Sequence, residues 1–268
     1  MAFRACYTED MTTEAYFLSD IHLKNLDQPD AQVLLGLLED MGSRVQATHL
    51  FLVGDIFDFW LGGHEYFIRK FSPIVDHLRR IVAGGVEVHY FEGNHDLYLR
   101  DFWQDHLGIR VHVRACLFQL GNLRVRVEHG DLLDPADRGY RFLRRLLRTP
   151  VIEHAGSRLP GGLLARIGRV ASRTSRRYTS RHKTISDDHA RTAVRSHAER
   201  ATHEAPFDLI ITGHVHVRDE HEFEVGGRKV RSVNLGSWAD TPCTFRITDT
   251  RQEFIQVPLV NGRVKHRQ

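Results

Sequence analysis

Five stretches of this chain each run a short β-favouring apolar segment straight into a turn whose first polar side chains are Asp, Asn or His. They are Tyr16 to His22, Leu50 to Asp58, Val88 to Asp96, Val125 to Asp131 and Leu209 to His216. An open α/β sheet gathers its chemistry at such strand ends, where successive loops converge. A chain patterned this way is confined to folds that bring the five ends together.

Between the strands the period changes. Val33, Leu34, Leu37 and Leu38 repeat at helical spacing within Ala31 to Met41, and a second helical stretch runs from Tyr66 to Val82, ending at Gly84-Gly85. With strands at 15–19, 49–53 and 86–91, the alternation predicts a largely parallel sheet with crossover helices. After Asp96 the texture shifts. Segments 109–120 and 123–128 alternate around Gly121-Asn122 and read as a hairpin, and strands follow at 208–212, 221–225, 229–234, 243–247 and 253–257, with Gly226-Gly227 as a turn. Two sheets face to face with helices outside accommodate this order, so the fold class is α/β. Residues 1–14 read as a loose leader and 15–268 as one domain.

Residues 132–205 fit neither sheet and read as a helical insertion, a lid. Tyr140, Leu143, Leu146 and Leu147 recur at helical spacing among Arg141, Arg144, Arg145 and Arg148, and Pro150 stops that helix. Leu163, Leu164, Ile167 and Val170 follow among further arginines, and Glu153 is the only acid between Arg138 and Lys183. A last helix spans roughly 186–203. The plain reading packs Leu143, Leu147, Leu163 and Ile167 on the sandwich with the arginines solvated. Net charge is only +3, so positive charge is a property of this insertion, not of the chain. Its arginines lack the interleaved aromatics of base stacking, so no nucleic-acid partner is expected.

Three cysteines, Cys6, Cys116 and Cys243, show no CxxC spacing and provide neither a disulfide framework nor a thiolate metal site. With no bilayer-length apolar run and no signal-like start, the expected location is the cytoplasm. Asp20 and His22 would share one face of a strand continued past Ser19, as would His214 and His216. Carboxylate, imidazole and amide oxygen together suit Mn²⁺ first, with Fe or Zn²⁺ as the other choices. Seven candidate ligands (Asp20, His22, Asp55, Asn94, His129, His214 and His216) exceed what one ion needs. Two ions about 3.5–4 Å apart would form a clamp for phosphoryl transfer. Singly, each motif is no more than strand-end polarity.

Asp20-x-His22, Gly54-Asp55-x-x-Asp58, Gly93-Asn94-His95-Asp96, His129-Gly130-Asp131 and Gly213-His214-x-His216 resemble, in order, the five motifs of the calcineurin-like metallophosphoesterases. The resemblance implies a four-layer α/β/β/α sandwich. It implies Asp20, His22, Asp55 and His216 on one ion, and Asp55, Asn94, His129 and His214 on the other, with Asp55 bridging. It makes His95 a proton donor or charge stabiliser, which Asp96 would orient.

Trp60-Leu61-Gly62, Gly139-Tyr140 and Asn234-Leu235-Gly236-Ser237-Trp238 resemble a narrower subgroup, the UDP-2,3-diacylglucosamine pyrophosphatases of lipid A synthesis, whose members also carry a basic helical insertion. That likeness implies release of UMP and 2,3-diacylglucosamine 1-phosphate at the cytoplasmic face of the inner membrane. It implies substrate contacts at Asn94, His95, Asp137, Tyr140, Ser175, Lys183 and His214. Well-known subgroup members have Arg where this chain has His95, which favours a rival reading as a soluble phosphodiesterase or phosphatase acting on nucleotides. A rival of another class is a non-catalytic binder of anionic surfaces or nucleic acid on the same scaffold, although such a binder needs no full ligand set.

Overall fold

The computed structural model describes residues 12–164, 166–168, 170, 187–239, 241–257, 259–260 and 263–264. Its strands in chain order are β1 (Glu14–Leu18), β2 (His49–Leu52), β3 (Trp60–Leu61), β4 (Glu87–Phe91), β5 (Asp96–Leu97), β6 (Arg110–His112), β7 (Cys116–Leu120), β8 (Leu123–Val127), β9 (Leu209–Thr212), β10 (Asp219–Val225), β11 (Arg228–Asn234), β12 (Cys243–Thr248) and β13 (Gln252–Gln256). One sheet has the order β13-β12-β1-β2-β4-β6 and the second β10-β11-β9-β8-β7. In the first, β1, β2, β4 and β6 run parallel, β12 runs antiparallel to β1, and β13 antiparallel to β12.

The central strands β1 and β2 are apolar on both faces because both faces are covered. On β1, Ala15 and Phe17 enter the core between the sheets, while Tyr16 and Leu18 meet the outer helices. On β2, Phe51 and Leu50 divide the same way. Phe17 stacks on Phe51 with ring centroids 4.4 Å apart. Each such side chain stabilises the fold by roughly 1.5–3 kcal/mol on burial. Outside the first sheet lie α1 (Pro29–Ser43) and α3 (Ser72–Ala83), through Val33, Leu34, Leu37, Ile74, Leu78 and Ile81. Outside the second lies the Asp187–Ala201 helix, through Ala198 and Ala201 on Ile210 and Val230. The result is the four-layer α/β/β/α sandwich.

Four expectations are corrected. The helical stretch from Tyr66 to Val82 is two helices, α2 (Glu65–Lys70) and α3, meeting at Phe71; Pro73 lacks the N–H that a continuous helix would bond to Arg69. Segment 109–120 is not one arm of a hairpin. Arg110–His112 pairs with β4 in the first sheet, and Cys116–Leu120 pairs with β8 in the second. Pro150 does more than stop α4 (Arg138–Leu147): it opens the first turn of α5 (Pro150–Arg158), where a missing N–H costs nothing. The strand β1 begins at Glu14, inside the expected leader, and residues 1–11 lie outside the described residues.

Candidate metal centre

Every one of the five motifs lies at the C-terminal end of a central strand: β1, β2, β4, β8 and β9. The strand geometry expected for Asp-x-His does not hold. β1 ends at Leu18, and Asp20 and His22 both adopt left-handed backbone, φ 51° and 53°. Asp55, His214 and His216 do the same, with φ 54°, 71° and 60°. Left-handed turns, not pleats, aim these side chains inward, at a cost typically of about 1–3 kcal/mol per strained residue. Gly93 is required by close approach: a Cβ there would collide with Asp55 Oδ1.

All seven candidate ligands converge. Asp20, His22 and His216 place ligand atoms within 4.8 Å of one another, and so do Asp55, His129 and His214. His22 Nε2 faces His216 Nε2 at 3.0 Å, and His216 Nε2 lies 3.3 Å from Asp20 Oδ1. Asn94 Oδ1 is 3.0 Å from His214 Nδ1 and 3.4 Å from His129 Nε2, which is 3.5 Å from Asp55 Oδ2. Asp55 stands between the groups, since it also joins His22 and His95 in a third cluster.

Backbone groups fix the ring orientations. The carbonyl of Val53 accepts from His129 Nδ1 at 2.8 Å, so Nε2 is the ring atom turned toward Asp55 and Asn94. The carbonyl of Asp58 likewise accepts from His95 Nδ1 at 2.8 Å, leaving Nε2 for the centre. Asp96 does not orient His95 as expected. Its carboxylate accepts from Ile56 N at 2.9 Å and the Tyr90 hydroxyl at 2.8 Å, and so holds the Asp55 loop. Burial, then the charge of Asp55, raises the Asp96 pKa to about 8.

The electrostatics call for cations. Burial raises the pKa of Asp20, but the hydrogen bond and charge of His216 outweigh it and hold it at about 2. Burial opposes ionisation of Asp55 too, yet the charges of His129 and His95 keep it well below the usual range. Burial lowers the His129 pKa, but Asp55 drives it up to about 10. Burial pushes His22 and His214 down to about 4, keeping them neutral. Asp20 Oδ1 is buried and faces imidazole nitrogens, that of His216 at 3.3 Å and that of His22 at 3.9 Å. An ionised, buried oxygen beside opposed imidazole nitrogens fits metal ligation.

Of the expected substrate contacts, Asn94, His95 and His214 stand in this cluster. The Tyr140 ring is 6.1 Å from that of His214, and its hydroxyl donates to Asp131 at 2.7 Å. Asp137 caps α4, accepting from Tyr140 N at 2.8 Å. Ser175 and Lys183 lie outside the described residues. Trp60 and Trp238 are core residues. Two contacts of residues named from the sequence were not legible there. The amide of Asn234 donates to the Gly213 carbonyl at 2.7 Å and shapes the final motif. The Glu92–Arg148 ion pair ties the third motif to the insertion; the pattern around each residue does not name the other as its partner.

The fold and this centre define a class: residues 15–218 match the model of the calcineurin-like phosphoesterases, and the chain belongs to that family of hydrolytic enzymes. It is similar to the UDP-2,3-diacylglucosamine hydrolase of Pseudomonas paraeruginosa, 29% identical over 83% of this chain and 90% of that one. It is also similar to that of Photorhabdus laumondii, 28% identical over 90% of this chain and 98% of that one. Among solved structures, an archaeal phosphodiesterase aligns over 92% of this chain and 100% of its own, with 12% identity and TM-score 0.46. Among the described residues no helix is long and apolar enough to cross a membrane.

Proposed function

We propose that this enzyme hydrolyses the diphosphate of UDP-2,3-diacylglucosamine or a close UDP-linked lipid, yielding UMP and the acylated sugar 1-phosphate, at an inner-membrane surface. The observation that carries the reading is the inverted amphipathicity of α4 beside the candidate centre. Its docked face is Tyr140, Arg144, Leu147 and, just past its end, Arg148, with the polar groups bonded to Asp131 and Glu92. Phe142, Leu143 and Leu146 are left exposed, Phe142 by 70%. Val151, Leu163, Ile167 and Val170 are also exposed, against the expectation that Leu143, Leu163 and Ile167 pack on the sandwich; Leu147 and Leu164 do pack. Apolar surface of this kind, flanked by arginines, suits acyl chains and an anionic membrane face. The names of the relatives agree with a lipid substrate.

Asp20, His22, Asp55 and His216 would hold one divalent ion and Asp55, Asn94, His129 and His214 a second, with Mn²⁺ the first choice. Such a pair polarises phosphate oxygens and lowers the pKa of water to about 7, supplying a nucleophile at neutral pH. The chain's own residues do the rest. Asp55 sets the spacing of the two ligand groups, and Asn94 and His214 line the position of the α-phosphate. His95, tied through Nδ1 to the Asp58 carbonyl, offers Nε2 to the oxygen that departs with the acylated sugar phosphate. Water oxygen joins the α-phosphorus as the bond to the bridging oxygen breaks.

Purified enzyme with Mn²⁺ and micellar UDP-2,3-diacylglucosamine should release UMP in the ratio one to one with lipid phosphate. An enzyme that turns over diester or cyclic nucleotides but leaves the lipid untouched in detergent would overturn the substrate assignment and favour the soluble rival.

A further inference from the structure

The insertion does more than cover the centre, because α4 touches the ligand loops at both of its ends. Toward the N-terminal end, the Tyr140 hydroxyl donates to Asp131 Oδ2 at 2.7 Å and Arg144 Nε donates to the same oxygen. Asp131 is two residues beyond His129. At the C-terminal end, Arg148 donates through Nη1 to Glu92 Oε2 and through Nη2 to the Gly93 carbonyl at 3.1 Å. Gly93 immediately precedes Asn94. The other oxygen of Glu92 accepts from Leu99 N at 2.9 Å and closes the loop that bears Asn94 and His95. The Tyr98 hydroxyl donates to the carbonyls of Leu147 and Thr149, the latter at 3.0 Å. The Glu92 and Arg148 side chains are 5% and 16% exposed. This is a buried clamp rather than a surface ion pair.

Asn94 and His129 are thus on two loops bridged by one helix, and both belong to the same proposed ion. Among the described residues no hydrogen bond or ion pair joins Asp20, His22 or His216, on the other ion, to α4. We propose that α4 is a strut of the second ion's site, in which Arg148 at one end and Asp131 at the other set the spacing of Asn94 and His129. Occupancy of that ion and docking of the insertion are then one coupled equilibrium, and the coupling is reciprocal. Arg148 is a positioning residue: it acts through Gly93 and Glu92 on Asn94. The inference rests on the two-ion reading above.

Manganese titration of the full chain by calorimetry, with electron paramagnetic resonance of the loaded protein, separates the cases. The wild-type chain should bind two Mn²⁺ and show the exchange-coupled signal of a close pair. In Arg148→Ala the first ion should bind as before and the second about 10–100-fold more weakly, the range for lost ligand-supporting contacts, with the coupled signal gone. Arg148→Lys should regain part of the second affinity. Pairing Arg148→Met with Glu92→Gln removes the stranded buried charge, so stability should return while the second ion does not. In the wild-type chain, hydrogen exchange across 138–147 should slow only as the second Mn²⁺ binds. Equal binding of both ions by all the variants, or exchange in 138–147 indifferent to the second ion, would overturn the strut. A wild-type chain that binds no ion pair would remove the two-ion reading itself, a result visible before any variant is made.

Discussion

Among the described residues six non-glycine positions have positive φ, and five of them are candidate ligands: Asp20, His22, Asp55, His214 and His216. The sixth, Tyr98, anchors the insertion. Strain of this kind persists where the surroundings over-determine it, and here hydrogen bonds hold it: His214 N to Asp20 Oδ2 at 2.8 Å and His95 N to Asp55 Oδ1 at 2.9 Å. A cation that relieves the crowded carboxylates binds the folded chain and not the unfolded one. The melting temperature of the metal-stripped chain should therefore rise with Mn²⁺, by the equivalent of about 2.7 kcal/mol at a hundredfold excess over Kd. Asp55→Asn keeps an oxygen for His95 N but loses the shared charge, so calorimetric scans should show that rise largely abolished and hydrolysis down by at least about 10²-fold. An unaltered Mn²⁺ response in that variant would deny Asp55 its place between the ions. For His95→Asn the expectation differs: metal response intact, kcat down by about 10²–10⁴-fold.

At the scale of elements, the strands and the convergence of their ends were legible because β-favouring runs ending in polar turns leave few topologies open. Helix boundaries were less so, since the apolar period from Tyr66 to Val82 continues across Phe71 while Pro73 breaks the backbone. What could not be read was the partner of a polar residue inside a strand. His89 is a polar residue in the middle of β4, and it is buried between the sheets, stacked on Phe51, with Nδ1 3.0 Å from His112 Nε2. His112 Nδ1 in turn lies 3.2 Å from Cys116 Sγ. Burial lowers the pKa of His89 to about 2 and of His112 to about 4. Both are neutral in the fold, whereas in the unfolded chain they protonate near 6.5. Stability is thus complete above about pH 6.5 and declines as pH falls toward 4, by on the order of 3 kcal/mol for each of the two histidines. Urea unfolding of the metal-stripped chain should show that decline, and His112→Gln, which removes one of the two protonation sites, should make it shallower. A slope between pH 6.5 and 4 identical in the variant would locate the acid sensitivity elsewhere.

Over the whole molecule, the insertion's leucine period was visible while its orientation was not, because a 3.6-residue repeat groups side chains on a face without saying what that face meets. On α4 the answer depends on Asp131, just ahead of the helix, and on Glu92, far from it in sequence, which draw Tyr140, Arg144 and Arg148 inward and so turn Phe142 and Leu146 out. If that outward stripe receives acyl chains, replacing it should separate two activities of one centre. The double substitution Phe142→Ser with Leu146→Ser removes exposed side chains, so the melting temperature should move little. Neither residue touches a candidate ligand, so turnover of a small soluble diester such as bis(p-nitrophenyl) phosphate should stay within about twofold. Transfer of two such side chains to an apolar phase is worth roughly 3–6 kcal/mol at most. Partial engagement still leaves a loss of at least about tenfold in kcat/KM for the micellar UDP-linked lipid. Equal retention of both activities would mean that the stripe meets no lipid and that the acyl chains, if this enzyme binds them, enter elsewhere. Equal loss of both would mean that the insertion serves the centre through its docked face alone.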